Sequence, residues 1–198
     1  MEGYIVLAVI AAFVFLPLLW LIANFNRLAR LKQQIRESWS DIEVEMKRRY
    51  ELIPNLVETV KGYAKHEHDV LQMVIELRNK AMANTGSVSN QAVDEAALRI
   101  GVKRLFAVAE AYPTLKADAH FLALQQELAN CEDRIAAARR FFNGNVREMN
   151  QLCDQFPTNL IAHAFGFEHA TFFELSNEAE RVVPRVDVNL GAATRSVG

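Results

Sequence analysis

FLALQQELANCEDRIAAARRFFNGNVREMNQLCDQF, residues 121–156, decides the fold. Its apolar positions Phe121, Leu124, Leu128, Cys131, Ile135, Ala138, Phe142, Met149, Leu152 and Phe156 step by three and four without a break, and Asn145 is the one polar member. A repeat of 3.5 residues held this long marks one helix that packs on neighbours in a left-handed sense, at about 20°, as in helical bundles and coiled coils. The expected fold class is therefore all-α: a single N-terminal transmembrane helix followed by an antiparallel four-helix bundle of long helices.

Upstream, Leu28, Leu31, Ile35, Trp39, Ile42, Met46 and Ile53 form a second stripe, with one wider step across Arg49 and Tyr50. Pro54 lacks an amide hydrogen and its ring crowds the carbonyl of Tyr50, which predicts a kink or a turn there. A third stripe follows at Leu56, Val60, Tyr63, Glu67, Val70, Val74, Leu77 and Ala81 and reads as one continuous helix. The turn formers of 84–90 then break the pattern, and Ser89 or Asn90 can cap a helix whose first turn carries Asp94 and Glu95 on the favourable side of its dipole. That helix shows Leu98, Val102, Leu105, Ala109 and Tyr112 on one face and stops before Pro113. Downstream, Pro157 ends the long helix, and Thr158 to Phe173 predicts one or two short helices over the end of the bundle. Residues beyond Pro184 read as extended, and Gly191 to Gly198 as disordered.

Near the start, Ile5 to Ala23 contains no charged residue, and a helix of that length crosses a hydrocarbon layer of about 30 Å. Pro17 within it is tolerated in a span, and Tyr4 and Trp20 lie near its ends, where headgroups suit amphipathic rings. A cleaved signal peptide would place bases before the apolar run; here Glu2 precedes it and Arg27, Arg30, Lys32 and Arg36 follow. Those four bases place the bundle in the cytoplasm and the N-terminus outside, against anionic headgroups of a bacterial inner membrane. The domains expected are an anchor over 1–25, a cytoplasmic bundle over 26–175, and an extended or disordered tail over 176–198.

A formal net charge of −2 offers no basic face for nucleic acid. Cys131 and Cys153 lie on one predicted helix, too far apart to bridge, and read as small core residues of a reducing compartment. His66 and His68 stand two apart and face opposite sides of a helix, whereas a helical zinc site needs four. His120, His163 and His169 could add ligands from other elements, but solvated or hydrogen-bonded histidines are the simpler reading. A di-iron bundle needs Glu-x-x-His on two helices, and that motif does not occur in the chain. Neither a Gly-x-Ser-x-Gly elbow nor a glycine-rich phosphate loop is found. The expectation is no enzyme, no cofactor and no metal. Glu67 and Asn145, polar within apolar stripes, read as residues that fix helix register; a pocket inside the bundle is the competing account. Arg48, Arg49, Glu58 and Arg134 could pair with them or lie on the surface. Trp39 reads as core unless it is exposed with Phe172 and Phe173, when it would mark a partner site.

SWSDIEVEMKRR (38–49) followed by LIPNLVETVKGYAKHE (52–67) closely resembles the LemA family. The resemblance continues through EAYPTLKA (110–117), LQQEL (124–128), EDRIA (132–136), Phe142-Asn143, Val146-Arg147, Phe156-Pro157 and FGF (165–167), with Asp133 where the family usually carries Asn. It implies a single N-terminal span and a mostly antiparallel bundle, and it supplies no catalytic residue. Some members are linked to membrane remodelling around organelles, and others are encoded near a membrane metalloprotease. The function expected is a membrane-anchored, non-enzymatic scaffold or interaction module that forms homo-oligomers and uses the lipid bilayer as its first partner. The alternative is an accessory subunit of a membrane protein partner such as that metalloprotease.

Overall fold

A computed structural model describes residues 1–174; the tail expected over 176–198 lies outside the described residues. Those residues form six helices and no strand: α1 (Glu2–Tyr63), α2 (His68–Ala83), α3 (Val88–Glu110), α4 (Pro113–Lys116), α5 (Ala119–Asp154) and α6 (Thr158–Phe165). The expected span and the first helix expected of the bundle are thus one rod of 62 residues, about 93 Å long at 1.5 Å per residue. From Leu28 onward α1 packs against α5. The pairs are Arg27 with Glu148, Ser38 with Asn145, Glu45 with Arg134 and Tyr63 with Asp118, so residue numbers rise along one helix as they fall along the other. α2 packs on both α1 and α3.

The long stripe of α5 is spent on this contact. Phe121, Leu128, Cys131, Ile135, Phe142, Asn145, Met149 and Leu152 are all buried, so the stripe is covered within one chain. Phe156, the last member of that stripe, lies beyond the helix end and is exposed.

Pro54 gives neither a turn nor a break, for α1 runs through it. Its missing amide leaves the Tyr50 carbonyl without an intrahelical donor, and the guanidinium of Arg78 on α2 supplies one, Nε to O at 3.0 Å. The chain turns instead at Ala64 to Glu67, where the sequence shows no proline and only Gly62 to weaken the helix. Ala64 is fully buried there and the Glu67 amide donates to its carbonyl at 3.2 Å. The third stripe is therefore two helices. At the next turn the cap of α3 is Ser87, whose Oγ accepts from the Asn90 amide, rather than Ser89 or Asn90.

After α6 the chain reverses at Gly166, whose φ of +70° favours a residue without a Cβ. It then returns along α5 as a non-helical strap over residues 167–174. Asn150 grips the strap at Ala170, accepting its amide at 2.8 Å and donating to its carbonyl at 3.0 Å. Asn143 does the same at Phe173, at 2.9 and 3.1 Å. The two asparagines are seven residues apart, about 10.5 Å along a helix, which three strap residues cover only when nearly extended. Phe173 is fully buried, its ring 5.3 Å from Trp39. Trp39, half-buried, also meets Phe142 at 5.5 Å, so the exposed Trp39–Phe172–Phe173 patch does not form.

Candidate functional site

The stripe of α1 has its wide step at Arg49 and Tyr50, and those two residues build the most polar place in the core. A helix presents residues three and four apart on one face, so Arg49 follows Met46 and precedes Ile53 on the buried side, and its guanidinium enters the bundle. Its side chain is 1% exposed and pairs with Glu95 on α3. It also reaches Glu132 on α5, Nη1 to Oε1 at 2.6 Å, where a third of the carboxylate side chain meets solvent. Arginine suits this position because its planar fork serves two carboxylates and remains charged when buried.

Beside it, the Tyr50 hydroxyl bonds to the same Glu95 carboxylate. Burial, the largest cause, pushes the Tyr50 phenol above its ordinary value, so it serves as a neutral donor. Gln91 completes the cluster: its amide nitrogen lies 3.1 Å from the Tyr50 hydroxyl, 3.0 Å from Glu95 and 3.1 Å from the Ala81 carbonyl that ends α2. Four helices are thereby tied at one height. At the edge, Asp94 takes a 2.6 Å hydrogen bond from Asn84 and an ion pair from Lys80 at 2.8 Å, and that ammonium, first among the causes, lowers its carboxyl below the ordinary range. A cavity of about 270 Å³, lined by Trp39, Met46, Tyr50 and Gln91 among others, opens beside the network. Within the network, Arg49 Nε is buried with no hydrogen-bond partner among the described residues.

Each carboxylate of the network has a cationic partner, and the network contains neither a nucleophile with a companion base nor a set of open ligands. It holds helices together. Sequence reasoning placed Glu95 as a dipole-favouring acid in the first turn of α3 and left Arg49 undecided; both are core residues. The available signal was the interruption of the α1 stripe by two residues that could only face inward.

The span residues Ile5, Pro17, Trp20 and Ala23 lie on α1 with their side chains exposed. The apolar window of that helix is not buried by the other described residues, which separates it from the core helix of a soluble fold. All four bases, Arg27, Arg30, Lys32 and Arg36, are exposed. Arg27 pairs with Glu148 at 2.8 Å and Lys32 lies 5.9 Å from the Phe167 ring centre. Asn145 is buried at the α1–α5 seam and donates to the Ser38 hydroxyl at 3.3 Å. Glu67 is corrected: it is the half-buried residue that precedes α2 in the α1–α2 turn and belongs to no continuous stripe, because the helix that would have aligned it ends four residues earlier. His66 and His68 flank it, and His169 contacts Asp154 at 3.0 Å. Among the described residues no three histidine, cysteine or acidic side chains gather as metal ligands. Cys131 and Cys153 are free thiols, both raised above their ordinary value by burial first.

Comparison with known proteins adds the family. The LemA family model matches residues 38–188. Magnetosome protein MamQ 1 of Paramagnetospirillum magneticum is 24% identical over 179 residues, a match covering 78% of this chain and 66% of that protein. Magnetosome protein MamQ of Magnetospirillum gryphiswaldense is 23% identical, covering 77% and 65%. Protein LemA of Metamycoplasma hominis is 28% identical over 167 residues, covering 79% and 71%. The chain thus spans just under two thirds of the length of the magnetosome relatives.

Proposed function

This chain belongs to the LemA family, and on that premise we propose that it is a single-pass protein of a bacterial inner membrane whose cytoplasmic domain is a non-catalytic, self-associating interaction module. The observation that carries the reading is the division of α1. Its run from Ile5 to Ala23 is apolar and not buried, while from Leu28 onward the same helix is packed on one face. A helix built this way has its first part in lipid and its second in a bundle. We read the bundle as an antiparallel four-helix arrangement of α1, α2, α3 and α5, with Asn145 fixing register between α1 and α5. Arg27, Arg30, Lys32 and Arg36 follow the span and orient the bundle toward the cytoplasm.

Self-association is supported by Val44 on α1 and Phe141 on α5, large apolar side chains that remain exposed on the two longest helices, and by the anchor, which confines copies to two dimensions. Crosslinking of the intact protein in native membranes should trap homo-oligomers, and Phe141→Ser should reduce them. A chain that stays monomeric at natural abundance refutes self-association. Recovery of a stoichiometric membrane enzyme instead would favour an accessory-subunit role.

A further inference from the structure

We propose that α6 and the turn before it form a second membrane contact, an interfacial wedge that lies in the lipid boundary beside the point where α1 leaves the bilayer. Residues 155–167, QFPTNLIAHAFGF, contain no Asp, Glu, Lys or Arg. The inward face of α6, Thr158, Ile161 and Ala162, packs on the cluster of Leu28, Leu31, Met149 and Leu152. Its outward side keeps Leu160 61% and Phe165 53% exposed, and Phe156 in the preceding turn is 79% exposed. Three large apolar side chains left open at one end of a bundle need a cover of matching chemistry.

The height of that end identifies the cover. Across the α1–α5 seam Arg27 stands opposite Glu148, Glu45 opposite Arg134 and Ser38 opposite Asn145, so at 1.5 Å per residue on both helices Asp154 is level with about residues 21–29 of α1. That level brackets the end of the apolar run at Ala23. Phe156 comes two residues further on. Phe25, two residues after the run, holds the wedge against the exit point, with ring centres 4.9 Å from Phe165 and 5.7 Å from Phe167. The exposed side chains are thus continuous with the surface of the span and share its depth at the edge of the layer. Arg30 and Arg147, both exposed at this end, stand at headgroup level, where each base gains from anionic lipid. The arrangement is that of a short interfacial element, whose apolar side enters the headgroup and acyl boundary by about 5–10 Å. Its consequence is mechanical: a single span leaves a bundle free to swivel, whereas a span with a wedge fixes its tilt and rotation.

This inference rests on the span reading, and the experiment separates the two. The full-length chain carrying Cys131→Ala and Cys153→Ala is given one fluorophore, through Phe13→Cys, Leu160→Cys or Lys65→Cys. It is reconstituted in phosphatidylethanolamine and phosphatidylglycerol vesicles with or without brominated acyl chains. The expected result is quenching by bromine at positions 13 and 160, several-fold stronger than at position 65, in the turn at the other end of α1. Quenching at 13 with none at 160 overturns the wedge and leaves the span. No quenching at either position overturns the span reading and the wedge with it. Protection of position 160 from aqueous iodide without quenching by bromine assigns the patch to a protein partner or a second copy, and overturns the lipid assignment. If the cysteine-free background does not fold, a photoactivatable phospholipid is used with the unaltered chain: adducts within 155–167 support the wedge, and adducts confined to the span overturn it.

Discussion

Arg49 connects three helices through two carboxylates, and its value lies in what its loss would leave behind. Taking one partner from a buried ion pair strands the other, which costs about 3–5 kcal/mol. Arg49→Met should therefore lower the stability of the chain in detergent by about that amount, measured by denaturant unfolding of the bundle. Joint replacement with Glu95→Leu should recover most of the loss, because an apolar pair of similar volume needs no counter-charge. Similar losses in the single and double variants would show that the pair is not the source. Asp118 caps α5: it accepts the Phe121 amide at 2.9 Å and the Tyr63 hydroxyl at 2.9 Å. The amide bond, first among the causes, holds its carboxyl below the ordinary value of 3.8. A carboxylate lowered on folding adds stability that is complete above its unfolded value and is lost as pH falls through the folded one. Thermal melts should accordingly weaken below about pH 4, and Asp118→Asn, which keeps the cap but cannot titrate, should remove part of that slope.

At the scale of elements, α1 depends on α2 at Pro54, and this coupling can be measured. Arg78→Met leaves the Tyr50 carbonyl without its donor and should cost about 1–3 kcal/mol. In a Pro54→Ala background the amide of residue 54 returns, and the same replacement should be nearly neutral. Additive losses would deny the compensation. The strap is the second such case. Asn143→Ala removes both bonds to Phe173 and should expose residues 167–174 to protease and to hydrogen exchange while α1 and α5 keep their protection; unchanged exchange in the strap would show that Phe173 alone holds it. Periodicity revealed α3 and α5 nearly to their ends and failed at two points for identifiable reasons. Pro54 left a turn open beside a kink because the compensating donor, Arg78, is 24 residues away in sequence. The turn at Ala64 was invisible because its stripe residues Leu56, Val60, Val70 and Val74 keep the helical spacing across it, although they belong to two helices.

For the whole molecule, the uncovered state of the span has a direct consequence. Nothing in the bundle packs on it, so a chain lacking residues 2–23 should retain its helical signal and a cooperative melt by circular dichroism while leaving the membrane fraction. Loss of the bundle's melt on truncation would mean that the span is part of the core. The wedge of Phe156, Leu160 and Phe165 stays exposed after removal, so the truncated chain should bind vesicles weakly through that patch.

The sequence alone determined the helical class, the charge-free apolar N-terminal segment and the family, because these are written in spacing, in hydropathy and in strings of adjacent residues that need no partner to be read. The tertiary structure alone decided the rest. It buried Arg49 and Glu95 against each other, rescued Pro54 through Arg78, covered the α5 heptads with α1, and folded the strap between two asparagines. Each of these depends on pairs remote in sequence, 20 and 30 residues apart for the strap and 46 and 83 for the ion pairs of Arg49 with α3 and α5. The free energy of a buried polar group is fixed by the partner brought to it, and a one-dimensional pattern carries the group without the partner.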